Sequence, residues 1–348
     1  MNANIALWLV QDGVTTGAIY ALLALALLLV FAVTRVIFVP QGDFISFAAL
    51  TLATLQLGAL PGTVWLLAGG AALVTLAEGS AALRAGAPGR LPRIVALHLA
   101  LPLAVVALAA WAAPRQLGTA WLMALTLAIV VPLGPMLYRI AYQPLASASV
   151  LVLFIVSMAA HYILTGLALV IFGGEGLRAN AISAAKFELG VLRLPAQSLW
   201  VVGASLACMT ALWLFFERTL YGKALRATAM NRIGARLVGI PAALSGRLAF
   251  GLAAAIGALS GILVAPITTV YYDTGLMIGL KGFVGAILGG MGSYPLAALG
   301  ALAVGLLESF ASFWASSYKE AIVFTFIIPV LLWRSLVSRH AVVEDEEE

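Results

Sequence analysis

Four carboxylates stand inside or beside long apolar runs: Asp12, Asp43, Asp273 and Glu308. An acid in such a setting lines a solute path, relays protons or fixes an ion pair. Asp12, Asp43 and Asp273 fall near the ends of their runs, where water or headgroups reach. Glu308 lies within the run 296–315 and has no basic neighbour in sequence. One deep acid without a cation is thin support for a proton relay. Other polar side chains that face a path are Thr15, Thr16 and Tyr20 early in the chain, and Gln41 and Ser46 around Gly42 and Asp43. Ser157 and His161 are four residues apart and share a helical face.

Metal and hydrolytic chemistry find no such constellation. His98, His161 and His340 are far apart and lack carboxylates at ligand spacing, and Cys208 is the single cysteine. The one Gly-Lys pair, Gly222-Lys223, is followed by Ala224 and has Glu217 where a phosphate loop needs glycine. No nucleotide site is expected in this chain.

The elements that must carry these residues follow from composition. The 348 residues are 63% hydrophobic and 9% charged, with mean hydropathy +1.09, against about a quarter charged in soluble domains. Long continuous apolar runs exclude a β-barrel, whose strands alternate. The expectation is an all-α, polytopic transmembrane bundle. At about 20 residues per crossing, spans fall near 8–33, 42–60, 63–83, 94–113, 118–138, 148–172, 197–216, 246–268, 276–292, 296–315 and 319–334. Those at 42–60 and 276–292 are interrupted by Gly and polar residues; treating both as re-entrant gives nine. Closely spaced glycines, Gly257-x3-Gly261 and Gly285-x3-Gly289, let helix backbones approach.

With eleven spans, the loops on one side collect Arg35, Arg84, Arg90, Arg93, Arg139, the stretch Arg218 to Arg247, Arg334 and Arg339. The other side receives Arg115, Arg178, Lys186, Arg193, Lys281 and Lys319. The positive-inside rule then puts the N-terminus outside and the C-terminus in the cytoplasm. No Lys or Arg precedes Arg35, so the start lacks the basic region of a cleaved signal peptide. The domain reading is one transmembrane unit over 1–340, with an acidic, solvated tail at 341–348.

Residues 38–44, FVPQGDF, break the apolar pattern with Pro40, Gly42 and Asp43. With Arg35 just before it, the corner is expected on the cytoplasmic side, as a hinge or gate. The basic stretch 217–241 reads as an amphipathic helix on which Met230, Ile233, Leu237 and Ile240 share a face beside Arg232 and Arg236. Such a helix lies on anionic lipid or docks in a partner's groove. The external segment 173–196 carries Glu175, Arg178, Lys186, Glu188 and Arg193 and is long enough to contact a soluble protein.

The run Gly222 to Ile240, G-K-A-L-R-A-x-A-x-N…A-x-L-x-G-I, resembles the coupling segment of ABC importer permeases, and in particular of the branched-chain amino acid permease family. QDGVTTGAIYALLALA at Gln11–Ala26, YRIAYQPL with Arg139, Tyr142, Pro144 and Leu145, and GLKGFVGAILGGMGSYPLAALG at Gly279–Gly300 are similar to the family in the same order. Glu308 and the later Tyr318-Lys319 also match. The resemblance implies a permease subunit that works by alternating access, with coupling through Gly222, Lys223, Arg226, Asn231, Arg232, Arg236 and Gly239. It implies two separate ATPase subunits that hydrolyse the ATP, a second related permease and a periplasmic solute-binding protein, in the bacterial inner membrane. The solutes it implies are branched-chain or related amino acids, with urea, short amides or small carboxylates as alternatives. An ion-coupled secondary transporter is the rival reading. Two features depart from the family: residues 63–113 form an extra helical hairpin, and Phe38-Val39-Pro40-Gln41-Gly42-Asp43 stands where Asn-Phe-Ala-His-Gly-acid is usual. The second departure bears on the solute rather than on the class.

Overall fold

The computed structural model describes residues 3–332 apart from 116, 184, 190, 191 and 291. The acidic tail and the end of the last expected span therefore lie outside the described residues. In chain order the helices are α1 (Ala3–Thr34), α2 (Asp43–Gln56), α3 (Thr63–Arg84), α4 (Pro88–Arg115), α5 (Thr119–Leu145), α6 (Val150–Phe172) and α7 (Ala196–Arg218). They continue with α8 (Leu220–Met230), α9 (Arg232–Leu237), α10 (Ala242–Val264), α11 (Thr274–Leu288), α12 (Tyr294–Trp314) and α13 (Lys319–Thr325). A small antiparallel hairpin, β1 (Lys186–Leu189) with β2 (Leu192–Pro195), sits between α6 and α7. Among the described residues, eight helices are long and apolar enough to cross a membrane: α1, α3, α4, α5, α6, α7, α10 and α12. The chain is a multi-pass α-helical membrane protein.

The bundle has two ends. Arg35, Arg139, Arg232, Arg236 and Arg247 gather at one, the basic end: like charges at Arg236 and Arg35 act on Arg232, and Arg247 acts on Arg139. The segment from Leu177 to Ala179 pairs with Val270 and Ala265 at the far end, where Asn180 N donates to Gln56 Oε1. The long helices run alternately between these ends.

Two expected spans depart from that pattern. Helix α2 has 14 residues and α11 has 15, or about 21–23 Å at 1.5 Å per residue, short of the roughly 30 Å hydrocarbon core. Neither is re-entrant. The chain leaves α1 at Thr34 at the basic end, passes through extended residues and a 3₁₀ turn at Val39–Gln41, and enters α2 beside the middle of α10, where Gln41 Nε2 donates to Ala253 O at 3.0 Å. Helix α2 then runs on to the far end. Helix α11 completes a similar crossing in the opposite sense. Residues 265–273 leave the far end, and α11 starts beside Gly42 and ends against Ala297 of α12 near the basic end. The corner at FVPQGDF is thus a break inside a crossing, buried in the bundle, and not a turn at the cytoplasmic surface. Pro40 has no N–H to give a continuing helix, and Gly42 allows a backbone approach that a side chain would block.

Small residues set the packing. Gly13 and Gly17 of α1 lie against Gly305 and its neighbours on antiparallel α12, and a Cβ on Gly305 would stand 2.4 Å from Gly17 Cα. Gly257 and Gly261 of α10 receive α2, while Gly285 and Gly289 of α11 receive Ala301 and Ala297 of α12. In lipid, where apolar surface gains little by leaving one hydrocarbon for another, such close contact is what holds helices together.

Candidate functional site

The two half-helices meet by their first turns. A Cβ on Gly42 would lie 2.1 Å from Gly275 O, and one on Gly275 would lie 2.0 Å from Gly42 O, so the backbones touch directly. A broken crossing frees backbone groups that must find partners inside the protein. Ser46 Oγ accepts from Gly275 N at 2.8 Å, and the Gln41 amide holds the Ala253 carbonyl. Asp43 opens α2, where the helix dipole favours a carboxylate.

Helix α6 supplies the partner of that carboxylate. His161 Nδ1 lies 2.9 Å from Oδ1 and 3.0 Å from Oδ2 of Asp43, within hydrogen-bond reach of both carboxylate oxygens. Thr165, one turn on, donates to Asp43 Oδ1 at 3.4 Å. On the same face Ser157 Oγ is 3.0 Å from Tyr142 OH, whose ring packs on Phe38 and Phe250. Gln41, Asp43, Ser46, Ser157 and His161 are each at most 3% exposed, so the cluster is closed to solvent in this conformation.

A second polar cluster lies further along α11. Lys281, 5% exposed, sets its ammonium 2.6 Å from Glu308 Oε1 and 3.0 Å from Glu320 Oε1. Tyr20 OH donates to Glu308 Oε2 at 2.5 Å. Helix α11 therefore links the clusters: its first turn touches Gly42 and its middle holds Lys281.

The expected path residues fall into three groups. Gln41, Gly42, Asp43, Ser46 and His161 come together, and Ser157 joins them through its helix. Tyr20 and Glu308 form the second cluster. Thr15 donates to Gln11 O within α1, and Thr16 is half-buried beside it. Several expectations are corrected. Asp43 does not lie where water reaches it, because the break carries it to mid-bundle. Glu308 does not lack a cation, and Lys281 is not in an external loop; they are 27 residues apart on adjacent helices. Two histidines do have carboxylate partners: His161 has Asp43, and His98 Nε2 is 3.3 Å from Glu78 Oε2. Thr165, Tyr142, Lys281 and Glu320 were not among the expected path residues. Thr165 was visible as the next i, i+4 position after His161, and Lys281 as a charge in an apolar, glycine-rich run.

At the basic end, the stretch 217–241 is two helices and not one. Asn231 leaves the helical conformation, and its side chain accepts from Gly234 N at 2.9 Å to cap α9. The split leaves Met230, Ile233, Leu237 and Val238 exposed together at the bundle's edge. Arg236 is exposed and Lys223 points outward on α8, while burial draws the Arg232 guanidinium below its ordinary value. Gly222 packs on the Phe215 carbonyl, Arg226 pairs with Glu217 at 2.8 Å, and Gly239 turns the chain at φ +86°. Gly222, Asn231 and Gly239 thus shape the segment, and the exposed residues form its surface.

Two discontinuous crossings that meet inside a helical bundle define a membrane protein built around broken helices, the arrangement in which transporters place their solute sites. The chain belongs to the family described as branched-chain amino acid transport system / permease component, whose model matches residues 9–331. It is similar to the high-affinity branched-chain amino acid transport system permease protein LivH of Salmonella typhimurium, at 29% identity over 204 residues, 56% of this chain and 65% of the relative. LivH of Escherichia coli K12 is 36% identical over 136 residues, 38% of this chain and 44% of the relative. The corresponding protein BraD of Pseudomonas aeruginosa is 36% identical over 128 residues, 36% and 42%. The matched stretches thus span less than two thirds of these relatives. No solved structure matches the chain.

Proposed function

We propose that this chain is the membrane permease subunit of an ABC importer in a bacterial inner membrane, moving branched-chain or related amino acids by alternating access. The observation that carries the reading is the exposed apolar patch of Met230, Ile233, Leu237 and Val238 beside Arg232 and Arg236, joined through Pro241 to α10. A surface of that kind suits a partner's groove, and α10 leads from it to Gln41 and the break. Partner ATPases bound there supply the ATP hydrolysis. A second related permease and a periplasmic binding protein complete the assembly, with the basic end cytoplasmic by the positive-inside rule.

In this mechanism Asp43, His161 and Thr165 line the gate. When α2 parts from α11 and from α6, the Asp43 carboxylate becomes free to meet a solute ammonium, and His161 and Thr165 to meet its carboxylate. Glu308 stays paired with Lys281, so no unpaired deep acid calls for an ion gradient. The 63–113 hairpin braces the basic end: Glu78 Oε1 accepts from Arg139 at 2.7 Å.

The test is uptake of labelled leucine by proteoliposomes holding the co-purified complex, with and without ATP. ATP-dependent uptake that Arg232→Glu/Arg236→Glu uncouples from ATPase activity is the expected result. Transport by the chain alone under an ion gradient overturns the reading. Asp43→Asn should lower uptake without lowering assembly, and full activity in that variant removes the gate.

A further inference from the structure

Away from the broken crossings, a cavity of about 540 Å³ opens between α1, α7, α8 and α12 at the basic end. Its depth is walled by Leu25 and Leu29 of α1, Met209 and Leu212 of α7, and Ala298 of α12. Arg226 and Met230 of α8 stand at its edge, with Met230 and Trp213 widely exposed. Around Arg226 the charge is unbalanced: Glu217 accepts from it, while Arg218 and Lys223 also lie close enough to act on Glu217, so three cations face one acid.

We infer that this slot holds one acyl chain of an anionic phospholipid, with its phosphate beside Arg226 and Lys223. Three observations choose that occupant. The walls are apolar and three of them belong to helices long enough to cross a membrane, while Arg226 stands at the rim with Lys223 and Arg218 close to its partner Glu217, the pattern by which pockets between transmembrane helices select anionic lipid. The volume of about 540 Å³ falls within the roughly 300–1,000 Å³ of small-molecule sites. The inference needs only the membrane setting and not the ABC reading. Because α8 forms one wall, a lipid seated here would also brace the segment that leads to α9.

The test places a photo-crosslinking amino acid at Ala298 and, as a control, at Leu206, which is exposed on α7 outside the slot. The full chain, with any subunits that co-purify, is irradiated in nanodiscs of equal phosphatidylglycerol and phosphatidylethanolamine, and adducts are weighed. At position 298 a phosphatidylglycerol adduct should exceed the phosphatidylethanolamine adduct by about fivefold or more, the preference expected from a single cation; position 206 should report the bulk ratio. Arg226→Gln/Lys223→Gln should bring position 298 to the bulk ratio, and Ala32→Trp, which fills the slot, should abolish the adduct. A bulk ratio in the unmodified slot, a protein adduct from a neighbouring subunit, or no lipid adduct at position 298 while position 206 labels normally, each overturns the inference.

Discussion

Replacing Lys281 with Met tests whether the second cluster is a fixed brace. The ammonium sits 2.6 Å from Glu308 and 3.0 Å from Glu320, with its side chain 7% exposed and that of Glu308 13%. At an effective dielectric of about 20, a pair 2.6 Å apart attracts by roughly 6 kcal/mol, most of it offset by the cost of desolvating both charges. Removing only the cation leaves that cost in place for Glu308, which keeps Tyr20 as its donor. The expected loss is about 3–5 kcal/mol, or a fall in Tm on the order of 10 °C. Glu320, whose side chain is 38% exposed, can turn outward and adds little. The double variant Lys281→Met/Glu308→Gln keeps an acceptor for Tyr20 and removes both charges, so it should recover at least half of the loss. The assay is thermal unfolding of purified protein in detergent, with the single Glu308→Gln variant closing the cycle. If Lys281→Met costs under about 1 kcal/mol, or if the two substitutions simply add, the cluster is not a buried ion pair and the reasoning fails.

Further variants probe the breaks. Gly275→Ala puts a methyl group 2.0 Å from Gly42 O, backbone against backbone, and should reduce the folded yield in membranes sharply; wild-type yield would refute direct contact of the half-helices. His161→Leu leaves Asp43 buried with only Thr165 as donor and should destabilise more than His161→Gln, which can donate to the carboxylate; the thermal-shift ranking checks this. Tyr142→Phe loses one hydrogen bond to Ser157 inside an intact aromatic cluster and should cost about 1 kcal/mol, with uptake retained.

Much of this was legible in the sequence, for reasons particular residues make clear. Long apolar runs specify full-length helices because nothing else satisfies the backbone in lipid. The eight helices that meet that length coincide with expected spans. Gln41, Gly42 and Asp43 were readable as a break, since Pro40 and Gly42 announce it locally. Their depth was not: Arg35 fixes only where α1 ends, and the extended residues that follow carry the chain back into the bundle. Pairings between distant helices were also beyond reach. His161 meets Asp43 across 118 residues, and Glu308 meets Lys281 through helix packing set by glycines. The stretch 217–241 reads as one amphipathic helix by periodicity alone, whereas Asn231 serves better as a cap than as an interior residue.

The geometry of the two breaks bears directly on how such a chain can change state. Their contact is backbone on backbone, so it gives close fit with little side-chain burial to undo. One exchangeable bond crosses it, from Gly275 N to Ser46 Oγ, and a second set, from His161 and Thr165 to Asp43, ties α2 to α6. Each donor or acceptor released by parting is one that water or a polar solute can satisfy, which keeps the opened state within reach energetically. The Lys281 cluster on the same helix is different, because separating it would strand charges in hydrocarbon. Helix α11 therefore has a yielding end at Gly275 and an anchored middle at Lys281. Motion that opens the Gly42–Gly275 contact and keeps the Lys281–Glu308 pair therefore swings the first turn of α11 about its anchored middle.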